Sequence, residues 1–285
     1  MTHADLKTSR PIGLIAGGGA LPFAVADALV AGGRRPVLFA IKGACDADAV
    51  RRYKHHWIAL GQFGRLFRLL HAEECRDLVF IGTLVRPAIS EIRMDWTTLK
   101  TMPRLLAAFR GGDDHLLSGV GRVFENEGLR LLGLRDVAPD LLMPAGDLTR
   151  AVPDEAALAD IAKGRDVLRA LSPFDIGQAC VVIDGHVVGI EDIEGTDGLL
   201  ERVKRLRGER RIRAKPGRGV LVKAPKATQD LRFDLPATGP RTVEGAAGAG
   251  LAGIAIVAGH TVVAEPQAMI DAADKAGVFI TGLSG

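Results

Sequence analysis

Aromatic side chains, cysteines and long apolar runs are all scarce in this sequence. Aromatics make up 5% of it, with two tryptophans and one tyrosine. The apolar content of 47% therefore rests on Val, Ile, Leu and Ala, which with 35 glycines suits α/β folds built on tight strand-to-helix turns. Cys45, Cys75 and Cys180 form no CxxC pair, and their odd number argues against a disulfide framework. That cysteine usage fits a reducing cytoplasm. No apolar run reaches the about 20 residues that span a bilayer, so any membrane contact is expected to be peripheral. Residues Met1 to Arg10 have no apolar core and do not read as a secretory signal. The net charge is only +3, which makes no global demand for nucleic acid as a partner. A Walker A lysine, a GxSxG elbow and an HExxH pair are all missing, so the common signatures of nucleotide-triphosphate, serine-hydrolase and zinc-protease chemistry do not apply.

What the chain does contain is two patterns in succession. At 285 residues it suits one large or two ordinary domains. From Pro11 to about Leu134, short apolar runs alternate with helical spacing. Strands are expected at Pro11–Ala16, Arg35–Ile41, Asp77–Gly82 and Leu129–Leu134, and helices after Leu21, around Leu66–Leu70, over Trp96–Phe109 and over His115–Glu127. This predicts a Rossmann-like parallel sheet. Residues Pro139 to Pro153 are rich in Pro, Asp and Gly, and a boundary is expected there, giving domains 1–145 and 146–285. The second half predicts a mixed α/β domain. It has a helix over Asp154–Leu171, a hairpin of Gln178–Ile183 and His186–Ile190 joined at Asp184-Gly185, a strand at Val220–Val222, and further strands at Gly253–Ala258, Thr261–Ala264 and Val278–Thr281.

Several polar groups stand where ligands bind in such folds. Gly17, Gly18 and Gly19, followed by Ala20 and Leu21, form a strand–glycine–helix turn whose backbone N–H groups suit an anion. The turn is not the GxGxxG fingerprint, and no acidic residue closes the second strand, which weighs against NAD. Gly82, Thr83 and Arg86 lie just past a strand's carboxyl end. Asp113 and Asp114 suit a helix cap, a ribose or a magnesium ion. Glu191, Glu194 and Asp197 crowd into a short span and ask for a counter-charge; a metal ion would supply one, and an acidic first helix turn is the alternative. Lys223, Lys226, Gln229, Asp230, Arg232 and Asp234 leave an apolar strand within a dozen positions held by prolines. Lys223 and Lys226 could neutralise phosphate oxygens, and Asp230 or Asp234 could orient or deprotonate water. The basic run Arg202–Arg218 reads either as a solvated helix end and loop or as a contact for an anionic leaflet.

The segments GLIAGGGALP, GQFGRLFRLLH, IGTLVRP, GGDDHLL, DIGQACVVIDGHVVGIEDIEGTDGLLERV and GVLVKAPKATQDLRFDLPATGPRTVEGAAGAGLAGIAI follow one another from about Ile12 to Gly282. In this order they resemble the LpxI-type UDP-2,3-diacylglucosamine pyrophosphatases of lipid A biosynthesis. Where that family reads Lys-Pro-Gly-Gln-Asp, this chain has Lys226-Ala227-Thr228-Gln229-Asp230, which implies a change in loop stiffness with the charges kept. The resemblance implies hydrolysis of UDP-2,3-diacylglucosamine to UMP and 2,3-diacylglucosamine 1-phosphate (lipid X). Water would attack the sugar-side phosphorus with Mg²⁺ or a similar ion such as Mn²⁺. It implies an essential aspartate, Asp230 ahead of Asp234, and substrate held between two domains. It also places substrate contacts on the matching segments, including Gln178, Glu194, Gly195, Thr196 and Gln229. A cytoplasmic protein on the inner face of the inner membrane follows from such a substrate, and a homodimer is a further expectation. The rival reading is a non-catalytic nucleotide-lipid carrier.

Overall fold

The computed structural model describes residues 10–83, 95–98, 113–226, 230–233 and 235–284, with 113–118 described by backbone alone. The chain forms two compact units. Unit 1 comprises the chain up to Pro139 together with the short segment that starts at Asp230; unit 2 comprises the rest.

Unit 1 runs β1 (Ile12–Ala16), α1 (Leu21–Ala31), β2 (Pro36–Ile41), β3 (His55–Ile58), α2 (Phe63–Ala72), β4 (Asp77–Ile81), α3 (Asp113–Asn126), β5 (Arg130–Leu131) and α4 (Leu134–Val137). Its strands pair in the order β3-β2-β1-β4-β5, all parallel. The central strand β1 is buried along its whole length, as a parallel strand covered on both faces must be. Ile15, Phe39, Ile41, Leu66, Leu70 and Phe124 belong to one continuous core. The parallel sheet matches the sequence expectation. The strand expected over Leu129–Leu134 is shorter. Gly133 caps α4 instead, with Asp136 Oδ2 accepting the Gly133 N–H at 2.9 Å, so the chain turns into a helix before the strand can continue. His55 and His56 lie on edge strand β3 and engage different partners, Tyr53 O at 2.9 Å and Glu73 Oε1 at 2.8 Å. The helix expected over Trp96–Phe109 is described only at 96–98.

Unit 2 runs β6 (Gly146–Asp147), α5 (Glu155–Leu171), β7 (Ala179–Ile183), β8 (His186–Ile190), α6 (Gly195–Gly208), β9 (Val220–Lys223), β10 (Ala237–Thr238), α7 (Pro240–Gly248), β11 (Gly253–Val257), β12 (Val262–Val263), α8 (Pro266–Ala276) and β13 (Phe279–Leu283). Its main sheet has the order β6-β13-β11-β9-β7-β8. β13, β11 and β9 are parallel, and β7, β8 and β6 run against their neighbours. Strand alternation separates two cores. Val181, Leu221, Ile254 and Ile280 pack on one face with Leu199, Val243 and Ala273. Cys180, Val182, Val222 and Phe279 pack on the other with Ile161 and Leu168 of α5. Gly164 lets α5 approach: a Cβ there would sit 2.6 Å from Val222 Cγ2. The expected hairpin forms at Asp184-Gly185, both at positive φ (47° and 75°), the geometry that Asp-Gly favours. Asp160, 2% exposed, accepts both turn N–H groups at 3.0 and 2.6 Å.

Candidate active site

In unit 1 the glycine turn follows β1 and precedes α1. Its first two glycines are stitched to the segment after β4. Gly17 N–H donates to Ile81 O at 2.9 Å, and Gly18 and Thr83 exchange backbone hydrogen bonds at 2.8 and 3.0 Å. A Cβ on Gly17 would lie 2.6 Å from Thr83 O, so glycine here permits backbone-to-backbone contact. Among the described residues the N–H groups of Gly19, Ala20 and Leu21 are the part of this turn left to face a ligand. Gly82 and Thr83 are exposed and adjoin it. A cavity of about 690 Å³ opens beside Gly19 and Ala20, with Phe23, Asp27, Asp46 and Arg52 in its wall. Asp46 accepts the N–H groups of Ala49 and Asp48, which hold its carboxyl below the usual range.

Asp230 also belongs to unit 1. Its carboxylate is gripped by Arg232, with Nε to Oδ1 at 3.0 Å and Nη2 to Oδ2 at 2.8 Å, and Oδ1 also accepts the Arg232 backbone N–H at 3.1 Å. This hydrogen-bonded guanidinium outweighs burial and holds the Asp230 carboxyl below its ordinary value. Asp230 is therefore an anion across neutral pH. Arg86, Gln229 and Asp234 lie outside the described residues, and so do the side chains of Asp113 and Asp114, which occupy the first turn of α3.

In unit 2 the ladder places Lys223 at the end of β9, beside Ala179 of β7, where it is 5% exposed. Lys223 Nζ donates to Thr196 Oγ1 at 2.9 Å and to Ala237 O at 3.1 Å. Thr196 in turn donates to Glu191 Oε2 at 3.1 Å. Lysine, hydroxyl and carboxylate thus form a connected row, and Gly195 starts the helix that presents the hydroxyl. Burial pushes the Lys223 ammonium below the lysine range, against the pull of Glu191 and Asp197. Gln178 precedes β7, its backbone carbonyl accepting the Ala224 N–H at 3.0 Å, while its buried Oε1 has no hydrogen-bond partner among the described residues. Lys226 pairs with Asp175.

The three carboxylates expected to share a metal ion do not converge. Glu194 pairs with Arg202 at 2.8 Å, Asp197 pairs with Arg241 at 2.7 Å, and Glu191 joins the Lys223 row. Among the described residues no group of three or more His, Cys, Asp or Glu has metal-binding geometry. The counter-charge that this acidic span demands comes from arginines and a lysine. As arranged, each of these three side chains is engaged by a different partner.

Residues 11–141 match the LpxI N-terminal domain model and 144–281 match the LpxI C-terminal domain model. The chain belongs to the LpxI family. It is similar to UDP-2,3-diacylglucosamine pyrophosphatase LpxI of Caulobacter vibrioides, with 42% identity over 274 residues that cover 96% of this chain and 98% of that protein. Sequence reasoning missed the clamp on Asp230 in this LpxI-family chain. Its one visible signal was the Asp-x-Arg spacing of Asp230-Leu231-Arg232. Much of the basic run Arg202–Arg218 is also tied down internally. Arg207 donates to the carbonyls of Ala249 at 2.9 Å and Gly250 at 3.3 Å, Arg205 pairs with Glu209, and Arg218 pairs with Asp184. No helix among the described residues is long and apolar enough to cross a membrane.

Proposed function

We propose that this LpxI-family chain is an enzyme that hydrolyses the pyrophosphate bond of UDP-2,3-diacylglucosamine, releasing UMP and 2,3-diacylglucosamine 1-phosphate. The observation that carries this reading is the near full-length similarity to the Caulobacter pyrophosphatase, with both family domains matched in order. The chemistry of the described side chains supports it. Anhydride hydrolysis needs positive charge near the phosphates and an oriented water. Lys223 and Lys226 supply the charge, and the N–H groups of Gly19, Ala20 and Leu21 suit a further phosphate oxygen. Asp230 is held ionised, which suits orienting water better than taking its proton. The water oxygen bonds to the sugar-side phosphorus and the bond from that phosphorus to the bridging oxygen breaks. The bridging oxygen leaves with UMP, and the water's second proton passes to solvent.

The proposal includes a requirement for a divalent ion, Mg²⁺ or Mn²⁺, and the roles given to these residues stand without assigning it ligands. It also includes a cytoplasmic protein in peripheral contact with the inner face of the inner membrane, and a homodimer. Exposed Phe174 (71%) and Ile193 (101%), in the loops before β7 and after β8, support the membrane contact. The first test is UMP release from UDP-2,3-diacylglucosamine with Mg²⁺, without it and with EDTA. Ion-dependent release is expected. In H₂¹⁸O the label should enter the sugar phosphate and not UMP. Tight lipid X binding without any UMP release would leave a carrier in place of an enzyme.

A further inference from the structure

The segment Asp230–Phe233 is a short loop, yet two independent contacts hold it to unit 1. Phe233 packs its ring 5.0 Å from Phe80 of β4, and Phe80 in turn lies 5.0 Å from Phe124 of α3. Gly121 of α3 makes room, since a Cβ there would strike the Phe233 ring at 2.6 Å. The second contact is polar: Arg232 Nη1 donates to Glu125 Oε1 of α3 at 2.8 Å while its Nε and Nη2 grip Asp230. One guanidinium thus joins a helix carboxylate to the Asp230 carboxylate.

A carboxylate offers about four acceptor directions. The Arg232 backbone N–H and Nε take those of Oδ1, while Nη2 at 2.8 Å and, more distantly, Nε at 3.3 Å reach Oδ2. A bidentate guanidinium also fixes the carboxylate plane, which a single lysine ammonium cannot do. The Asp230 carboxylate is therefore oriented by Arg232, and Arg232 is aimed by α3 through Glu125.

We infer that Arg232 is the positioning residue for the Asp230 carboxylate, and that Glu125 holds Arg232 in place. This rests on the reading of Asp230 as the essential carboxylate. Charge alone is not the point of the contact: its geometry turns a flexible loop acid into a directed acceptor. Misplacing a reacting group by about 1 Å can cost about 10²-fold in rate.

The experiment measures kcat and KM for UMP release in purified full-length variants, with circular dichroism to check the fold. Arg232→Met should lower kcat by about 10²-fold with KM little changed. Arg232→Lys should do nearly the same, and rescue by lysine overturns the geometric claim. In an Asp230→Asn background Arg232→Met should add nothing further, and an additive loss shows that Arg232 acts independently of Asp230 and overturns the proposal. Residual activity of Arg232→Met should show an acid limb moved to higher pH, because the Asp230 carboxyl has lost its guanidinium; an unmoved limb counts against it. If Arg232→Met does not fold, Glu125 decides. Glu125→Ala should lower kcat by about two- to fivefold, as befits a half-exposed ion pair, and Glu125→Gln, which keeps an acceptor oxygen, should restore it. A Glu125→Ala enzyme with unchanged kcat and pH profile overturns the role given to Glu125. Full turnover by Asp230→Asn is a separate result: it removes the underlying reading of Asp230, whatever Arg232 does.

Discussion

Lys223 and Asp230 stand seven residues apart in the chain and are held by opposite means. Lys223 is fixed by the backbone. Its position follows from the β9 ladder with β7 and β11, whose register its own side chain does not set. Asp230 has no ladder. Its carboxylate is fixed by side chains, Arg232 directly and Glu125 behind it. Their electrostatics differ in the same way. The ammonium is desolvated and pushed toward its neutral form, whereas the carboxylate is solvated by a guanidinium and kept charged. A group fixed by the ladder should tolerate loss of its neighbours better than a group fixed by its neighbours.

The comparison predicts a graded set of responses. The largest belongs to Asp230→Ala, which should lower UMP release by about 10²–10⁴-fold with an unchanged circular dichroism spectrum; undiminished release would move the essential role to Asp234. Lys223→Met should lose about 10²–10³-fold, the scale of one lost charge-stabilising donor, with a melting temperature unchanged or higher. The sign follows from linkage. With its folded pKa below the unfolded value, Lys223 binds fewer protons in the folded chain between the two values, so its contribution to stability rises with pH across that window. Wild type should therefore gain stability relative to Lys223→Met as pH rises toward the ordinary lysine value of about 10.4, and a parallel pair of melting curves on that approach would remove the desolvated-lysine argument. Thr196→Val breaks the row at its middle but leaves Ala237 O to Lys223, so about a tenfold loss is expected, the scale of one hydrogen bond to a charged group. Smallest is Arg241→Ala. Its pair with Asp197 has side chains 85% and 58% exposed, and neither melting temperature nor turnover should change measurably. A large drop there would mean that the acidic span needs Arg241 after all.

The two anchors also differ in how legible they were. Lys223 could be placed from sequence because Val220-Leu221-Val222 announces a buried strand and the lysine ends it. The Lys223 partners were half legible: Thr196 and Glu191 sit in the acidic span, but Ala237 belongs to β10, a two-residue strand with no periodic signal. The clamp on Asp230 left only the Asp-x-Arg spacing in the sequence, and its outer half was not legible, because Glu125 lies 107 positions from Arg232 and meets it only in the folded unit. The partners of the acidic span were illegible for a related reason. Crowded carboxylates ask for a counter-charge, but sequence does not say which cation will answer, and here Arg202, Arg241 and Lys223 do.

By itself the sequence determined the local elements and the family. Apolar alternation and helical spacing set the parallel sheet of unit 1 and the two-faced sheet of unit 2, and Asp-Gly set the β7–β8 hairpin, because these depend on neighbours within a few residues. Tertiary structure alone decided that Gly17 and Gly18 would spend their N–H groups on Ile81 and Thr83. It alone decided that the acidic span after β8 would be neutralised by basic side chains, and that Asp230 would be aimed from α3. Each of those outcomes is a contact between residues remote in the chain, whose distance and angle exist only once the packed elements bring them together.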